Sequence, residues 1–334
     1  MITPIFTVVI PTYNRIDGLK RCLVSLELQN FDHQQFEVIV VDDGSSIQVD
    51  RTLLNDYHTF ILKCIHVEHG GPSKARNAGI DQASGEYIVF FEDDIIVDKN
   101  YLTNAWKLFH DQHIDVLEGK TVVEGEERNV RLYDAEEIFS FIPCNMIVRR
   151  SIIVKLGGYN SEFYDPTTGL YFREDAELGF RLVDLGLIMM KVDNLIVEHH
   201  VQFNTIKSCI RHAQRYYFDP LLYREHPKRY RQFIERKQIM GFTFQRPLHK
   251  FSMGMVFSIL LFLAGLFYND ALLISIGCMG IVLMGILVQY KYQGRNTLSL
   301  VKIIQMGAFI ILPMVYWTAL IKGCVKFKSY GCLL

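Results

Sequence analysis

The stretch Gly85–Asp98, GEYIVFFEDDIIVD, decides how the rest of the chain is read. Tyr87 to Phe91 is a run of apolar β-formers that stops at three consecutive carboxylates, Glu92, Asp93 and Asp94, before apolar residues resume at Ile95. A short all-apolar run bounded by glycine is the pattern of a strand buried on both faces. Three acids at its carboxyl end are too costly to desolvate without a counter-charge. Hard divalent cations take such oxygen ligands, Mg²⁺ commonly through one or two carboxylates together with substrate phosphates. Taken alone, a solvated acidic turn is the commoner source of such a triplet.

Outward from this strand the chain repeats the same grammar. Phe6 to Ile10 is an apolar β-type run ended by Pro11 and followed by the polar corner Thr12-Tyr13-Asn14. Leu19, Leu23 and Leu26 predict a helix over Asp17–Glu27. Glu37–Val41 predicts a second buried strand that ends in Asp42-Asp43-Gly44-Ser45, and Ile61–Val67 a third, weaker one. His69-Gly70-Gly71-Pro72-Ser73 then leads into a helix over Lys74–Ala83, with Ala75, Arg76, Asn77 and Gly79 in its first turns. Strands alternating with helices, with polar residues at each strand's carboxyl end, predict an open, mostly parallel, Rossmann-like α/β sheet whose ligand crevice lies at those ends. Each corner alone is ordinary turn chemistry. Three successive corners and the acidic triplet converge on one face of one sheet.

In this order and spacing VVIPTYNR, VIVVDDGS, GPSKARNAG and YIVFFEDD resemble the nucleotide-binding half of the family 2 glycosyltransferases of GT-A fold, over about the first 220 residues. The resemblance implies that Pro11 and Tyr13 line the base pocket, that Asp43 contacts the base and that Arg76 lies in the nucleotide pocket. The family's D-x-D metal motif falls on Glu92-x-Asp94, where Glu replaces the usual first Asp. Asp94 is then the metal ligand to expect, with Asp93 close to the ribose or metal. Further on, FIPCNMIVR (Phe141–Arg149) reads as a strand, followed by a helix and the turn Gly157-Gly158-Tyr159-Asn160. Glu174-Asp175 opens a helix with Leu178, Leu182 and Leu185 on one face. Glu174 reads as an acid meeting the helix macrodipole or a cap, whereas Asp175 matches the family's E-D motif, whose aspartate is the general base. In the pair His199-His200, His199 fits the family's metal or diphosphate histidine. Arg215 sits where processive members carry Q-x-x-R-W. Only that arginine and an aromatic remain, which argues against a processive polymerase and leaves Arg215 as a diphosphate contact. One base and one divalent cation, Mn²⁺ or Mg²⁺, suffice for a single in-line displacement with inversion.

Composition divides the chain. Length suggests about two domains for 334 residues. Residues 1–240 carry 35 Asp and Glu against 27 Lys and Arg; from Gly241 onward Asp270 is the only acid against eight bases. The opening MITPIFTVVIPTYNR has no charged n-region, which argues against a secretory signal. Seven scattered cysteines without C-x-x-C spacing argue against a disulfide framework and against a zinc site. The N-terminal part therefore reads as a reduced, cytoplasmic domain.

The basic segment YREHPKRYRQFIERK (Tyr223–Lys237) reads as lying against anionic headgroups, where each base contributes about 1 kcal/mol. Phe251–Phe267 and Ala271–Gln289 have the length of membrane spans, and Ile303–Ile321, interrupted by Gln305 and Pro313, is a third candidate. The positive-inside rule puts Arg246, Lys250, Lys291, Arg295 and Lys302 on the cytoplasmic side. A third span would leave Lys322, Lys326 and Lys328 outside, so that segment is re-entrant or interfacial unless the weak bias is overridden. The expected organisation is a GT-A domain over 1–220 (nucleotide-sugar half to about 100, acceptor half 101–220), a basic interfacial segment over 221–250 and a membrane region over 251–334. The expected protein is a metal-dependent inverting glycosyltransferase at the plasma or cell inner membrane, its catalytic domain cytoplasmic. Expected partners are a nucleotide-sugar donor, first of all a UDP-sugar, and a saccharide or lipid-linked acceptor of surface polysaccharide synthesis, with no nucleic acid. Two alternatives stand beside it: a polyprenyl-phosphate sugar synthase, and an inactive sugar-nucleotide-binding scaffold, which the substituted Glu92 keeps open.

Overall fold

The apolar run expected to stop at Pro11 continues through it: β1 spans Phe6–Thr12. The reason lies in strand parity. Val9 accepts from the Phe91 amide on one flank, and Thr12 accepts from the Asp43 amide on the other. Pro11 shares Val9's flank, where the neighbouring strand has already ended at Phe90, so its missing N–H costs no ladder bond. The structure is a computed structural model that describes residues 3–50, 59–123, 141, 144–199, 205–235, 237–239, 242–244, 247–293 and 300–333. It forms two units, Met1–Val201 and Gln202–Leu334.

In the first unit β1 is followed by α1 (Ile16–Glu27), β2 (Phe36–Asp42), β3 (Ile61–His66), α2 (Gly71–Gln82), β4 (Tyr87–Phe90), β5 (Ile95–Val97), α3 (Tyr101–Asp111), β6 (Val116–Val123), β7 (Met146–Arg149) and α4 (Arg150–Lys155). The short pair β8 (Tyr164–Asp165) and β9 (Leu170–Tyr171), then α5 (Glu174–Asp184) and β10 (Met189–His199), complete it. Eight strands form one sheet in the order β3-β2-β1-β4-β7-β6-β10-β5. The first four are parallel throughout; β7 is antiparallel to both β4 and β6, and β5 is antiparallel to β10. The chain runs outward from β1 to β3 and then returns to β1's other side as β4. Open α/β sheets form their ligand crevice at such a reversal, beyond the strands' carboxyl ends.

Alternation along the strands feeds two apolar layers. Phe6, Val8 and Ile10 pack with Leu19, Leu23 and Leu26 of α1 and Tyr101, Leu102 and Ala105 of α3. Val9, Ile88 and Phe90 pack on the other face with Ile80 of α2 and Leu178 and Leu182 of α5. Each such side chain, fully buried, contributes about 1.5–3 kcal/mol of transfer free energy. Three sequence expectations shift. The strand expected over Phe141–Arg149 is confined to Met146–Arg149: Phe141 has a left-handed backbone (φ 52°), and Cys144-Asn145 turn and bend just before the strand; residues 142 and 143 lie outside the described residues. Leu185 is exposed, because α5 ends at Asp184. And α2 starts at Gly71 rather than Lys74, with Pro72 in its first turn, where the missing N–H is an orphan anyway.

The second unit holds α6 (Ile206–Gln214), a 3₁₀ turn over Arg215–Phe218, α7 (Asp219–Glu225), α8 (Pro227–Phe233) and the short strands Lys237–Ile239 and Phe242–Phe244. Three long helices follow, α9 (Pro247–Tyr268), α10 (Ala271–Gln293) and α11 (Leu300–Phe327). The unit begins ahead of the expected boundary near 220, because α6, the Arg215–Phe218 turn and α7 pack against α11. Phe251–Tyr268, Ala271–Val288 and Phe309–Phe327 are each long and apolar enough to cross a membrane. Asp270, the lone acid of the region, caps α10 by accepting from the Leu272 and Leu273 amides at 2.8 and 3.1 Å. Apolar side chains on α9 and α10 face outward, Phe267 at 83% and Met279 at 69% exposure. The third helix differs. It runs unbroken through Gln305 and Pro313, and 44% of its apolar window is buried, against 22% and 17% for the other two.

Candidate active site

The β2 corner is built around a carboxylate that caps a distant helix. Gly70 precedes α2 and has no side chain to cap it, so the first amides of α2 need an outside acceptor. Asp43 supplies it: its Oδ1 accepts from the Gly70 amide and its Oδ2 from the Gly71 amide, each at 2.9 Å. His69 Nδ1 lies 2.9 Å from Asp43 Oδ2, and the His69 ring stacks on Tyr13 with centroids 4.1 Å apart. Burial pushes the Asp43 carboxyl up, against the pull of these amides and of His69. Tyr13 is 45% exposed, a flat face offered to solvent beside the corner. Pro11 is half-buried just before it. Gly71 has φ +82°, and a Cβ there would strike the Tyr164 ring. Gly71→Ala is therefore expected to cost about 1–3 kcal/mol in a thermal melt, displacing Asp43 from the two amides it caps.

The acidic triplet splits into separate roles. Asp93 is buried: Thr12 Oγ1 donates to its Oδ2 at 2.8 Å and Arg15 Nη1 to its Oδ1 at 2.8 Å. The same Arg15 nitrogen donates to Asp94 Oδ2 at 2.7 Å. Glu92 turns the other way, to His199 Nε2 at 2.9 Å, which also lies 3.5 Å from Asp94 Oδ1. Sheet register explains this approach. After the triplet the chain enters β5, antiparallel to β10, and His199 pairs with Ile95, the residue next to Asp94. Burial pushes Asp93 up to about 6 against the pull of Arg15 and Thr12. Burial, and then the Glu92 charge, also raise Asp94. For Glu92 burial is outweighed by the His199 hydrogen bond and the charges of His199, Arg76 and Arg15, which hold it at about 2. Asp94 Oδ1 and His199 Nδ1 are buried without a hydrogen-bond partner among the described residues.

Arg76 joins this cluster to α5. Fully buried on α2, its guanidinium lies 3.5 Å from Glu92 Oε1 through Nη2 and 3.7 Å from Glu174 Oε1 through Nη1, and over the Tyr159 ring at 5.2 Å. Glu174, read from sequence as a helix-end acid, is thus also a buried partner of Arg76. Asp175 follows it, half-buried, its Oδ1 accepting from the Ala176 amide at 2.7 Å. Burial raises its carboxyl against the pull of Arg173, the Ala176 amide and Arg76. The turn into α5 is made by Arg173 in a left-handed conformation, φ 81°, its guanidinium over Phe172.

Pro11, Tyr13, Asp43, Arg76, Glu92, Asp93, Asp94, Asp175 and His199 therefore all belong to the first unit. Arg215 belongs to the second, in its 3₁₀ turn. Three residues escaped the sequence reading of the site. Arg15 could have been flagged as the nearest base to β1's polar corner; His69 and Tyr159 stand in the sequence only as parts of the turns His69–Ser73 and Gly157–Asn160, without a site role.

Comparisons with known proteins give the chain's family and fold. The family profile described as Glycosyl transferase family 2 matches residues 7–179. The poly(ribitol-phosphate) beta-N-acetylglucosaminyltransferase TarS of Staphylococcus aureus (strain Mu50 / ATCC 700699) is 37% identical over 114 residues, 34% of this chain and 20% of that protein. The pre-mycofactocin glycosyltransferase of Mycobacterium tuberculosis (strain H37Rv) is 27% identical over 212 residues, 58% of this chain and 42% of that one. The chain thus spans less than half the length of these curated relatives. Among solved structures, S. aureus TarS 1–349 in complex with UDP has a TM-score of 0.51 at 20% identity, over 98% of this chain and 92% of that one. The mannosyltransferase PcManGT from Pyrobaculum calidifontis, in complex with GDP-Man and Mn²⁺, has a TM-score of 0.54 at 18% identity, over 98% and 88%. At those identities the likeness is one of fold, and it is the GT-A fold. With the family profile covering more than half of the chain, the protein belongs to the family 2 glycosyltransferases.

Proposed function

We propose that the chain is a cation-dependent, inverting transferase that moves one sugar from a nucleotide-sugar, a UDP-sugar first, to an acceptor hydroxyl at a membrane surface. The observation that carries this reading is the reach of Arg76. One buried guanidinium meets Glu92 at the acidic end of β4 and Glu174 at the start of α5, and its charge also acts on Asp175, the next residue along α5. In the transfer the acceptor oxygen bonds to the anomeric carbon while its proton passes to the Asp175 carboxylate. The bond from that carbon to the diphosphate oxygen breaks, and its electron pair leaves with the nucleoside diphosphate. Burial makes Asp175 a better proton acceptor than an exposed aspartate.

Donor binding falls to the remaining corners. The exposed Tyr13 face and Pro11 offer a stacking wall for a base, with Asp43 and Asp93 on the base and ribose side and Arg76 towards the diphosphate. The acidic residues fit a divalent cation. The only cationic groups that Glu92, Asp93 and Asp94 meet among the described residues are Arg15, Arg76 and His199, and Asp94 Oδ1, 3.5 Å from His199 Nε2, is buried with no hydrogen-bond partner among them. Glu92, Asp94 and His199 are the oxygen and nitrogen ligands that would hold Mn²⁺ or Mg²⁺. A cation held by these residues would supply the positive charge that neutralises the leaving diphosphate. UDP in one structurally similar protein and GDP-Man with Mn²⁺ in another support this assignment.

The acceptor is a saccharide, best a lipid-linked glycan of a surface polymer. The apolar hairpin of α9 and α10 and the basic segment before it hold the chain at the cell membrane, with the catalytic unit in the cytoplasm. A screen of nucleotide-sugars for Mn²⁺-dependent stabilisation of the full chain, followed by product analysis with membrane extracts, tests the reading. Asp94→Ala is expected to weaken nucleotide binding about tenfold or more and to abolish its response to Mn²⁺. Unchanged Mn²⁺-supported binding by this variant would reject the cation assignment.

A further inference from the structure

Of the buried cysteines, which the proposed transfer chemistry does not use, Cys144 lies beside Glu92 and His199. Cys144 is 2% exposed, just ahead of β7, with its Sγ 3.9 Å from the Thr121 hydroxyl. Cys144 Sγ, a Glu92 carboxylate oxygen and a His199 ring nitrogen all lie within 4.8 Å of one another. The three residues come from the end of β4, the approach to β7 and the end of β10, strands that only the folded sheet brings together. A tetrahedral zinc ion, with bonds of about 2.0–2.3 Å, holds its ligand atoms roughly 3–4 Å apart. Side-chain rotation of Cys144 and Glu92 would close the difference; His199 already meets Glu92 through Nε2 at 2.9 Å, and its buried Nδ1 has no hydrogen-bond partner among the described residues.

We propose that Glu92, Cys144 and His199 form a site for a thiophilic divalent cation, Zn²⁺ first, with three protein ligands and an open fourth position. The chemistry of the donor set supports this. Carboxylate and imidazole alone accept Mn²⁺ or Mg²⁺, whereas a thiolate shifts preference towards zinc and its congeners. On binding, the Cys144 thiol proton leaves to solvent as the sulfur–metal bond forms, and no electron changes hands. Because Glu92 and His199 are also ligands in the proposed transfer site, Zn²⁺ bound here competes with Mn²⁺ and inhibits. That consequence rests on the transferase reading; the binding itself does not.

The test uses the full chain in detergent, stripped of metal and without donor. Titration with Co²⁺ is expected to produce a thiolate-to-cobalt charge-transfer band, a signature that oxygen and nitrogen ligands alone do not give, and Zn²⁺ is expected to erase it. Loss of supporting outer partners already costs metal sites about 10–100-fold, so Cys144→Ser, which removes a ligand, is expected to weaken Zn²⁺ about 100-fold or more. The same variant and Cys144→Ala keep Mn²⁺ binding, which shows that they fold. No charge-transfer band in the wild type, or equal Zn²⁺ affinity in wild type and Cys144→Ser, overturns the site. Transfer assays separate the two readings. Zn²⁺ inhibition relieved by Cys144→Ser supports the competition, and equal inhibition of both proteins overturns it. A Cys144-dependent zinc site in a chain that transfers no sugar leaves the site standing and removes the transferase reading.

Discussion

Replacing Asp175 by asparagine is expected to lower sugar transfer about 10²- to 10⁴-fold while nucleotide binding stays intact. The substitution keeps the size of the side chain and leaves an amide oxygen able to accept from the Ala176 amide, as Asp175 Oδ1 does at 2.7 Å. What it removes is the capacity to take a proton. Rate measured at saturating donor, set beside donor affinity from equilibrium binding, checks the prediction. A variant that keeps wild-type turnover would remove Asp175 as the base, and one that loses donor binding would make it a binding residue instead.

Arg76→Met is expected to have the largest effect on stability, about 3–5 kcal/mol, read as a large fall in the melting temperature of the full chain. Methionine matches much of the arginine stem, so the loss is mainly one of charge. Glu92 and Glu174, partners at 3.5 and 3.7 Å, would be left facing each other without the buried cation between them. Arg76→Lys keeps a charge but not the fork, and it is expected to fall between the two in both stability and donor binding. A melting temperature unchanged in Arg76→Met would mean that the pairing is not what holds the end of β4 against the start of α5.

The expected effects of these two substitutions differ in origin, and so does the legibility of the two residues. Asp175 was legible only through the resemblance, as the aspartate of the family's E-D motif. The significance of Arg76 as a bridge was not, because its partners lie on separate elements, and Glu174 looked like an ordinary helix-end acid until the tertiary contact appeared. His199 is a similar case. A histidine pair after a strand carries little information, yet the antiparallel pairing of β10 with β5 sets it beside Asp94. Glu92 was marked down for departing from D-x-D. In the fold it is hydrogen-bonded to His199, ion-paired with Arg76 and held at about 2.

The sequence alone determined the alternation of buried strands and amphipathic helices, the polar corners at their carboxyl ends, and the two solvents implied by an acidic first part and an apolar, basic last part. Those features rest on periodicity, local turn chemistry and composition, which act over a few residues and survive without knowledge of the partner elements. Tertiary structure decided the rest. Only strand order and register say that β4 lies beside β1, that β5 turns back onto β10, and that a thiol before β7 faces a carboxylate after β4. Site chemistry here is made between strands, and a linear pattern does not encode which strands become neighbours. The stretch Gly85–Asp98 announced an acidic strand end; the sheet distributed its three acids among Arg15, Arg76 and His199. That division follows from where the acids lie, in the turn between β4 and β5, and from the antiparallel pairing of β5 with β10, which brings His199 to them.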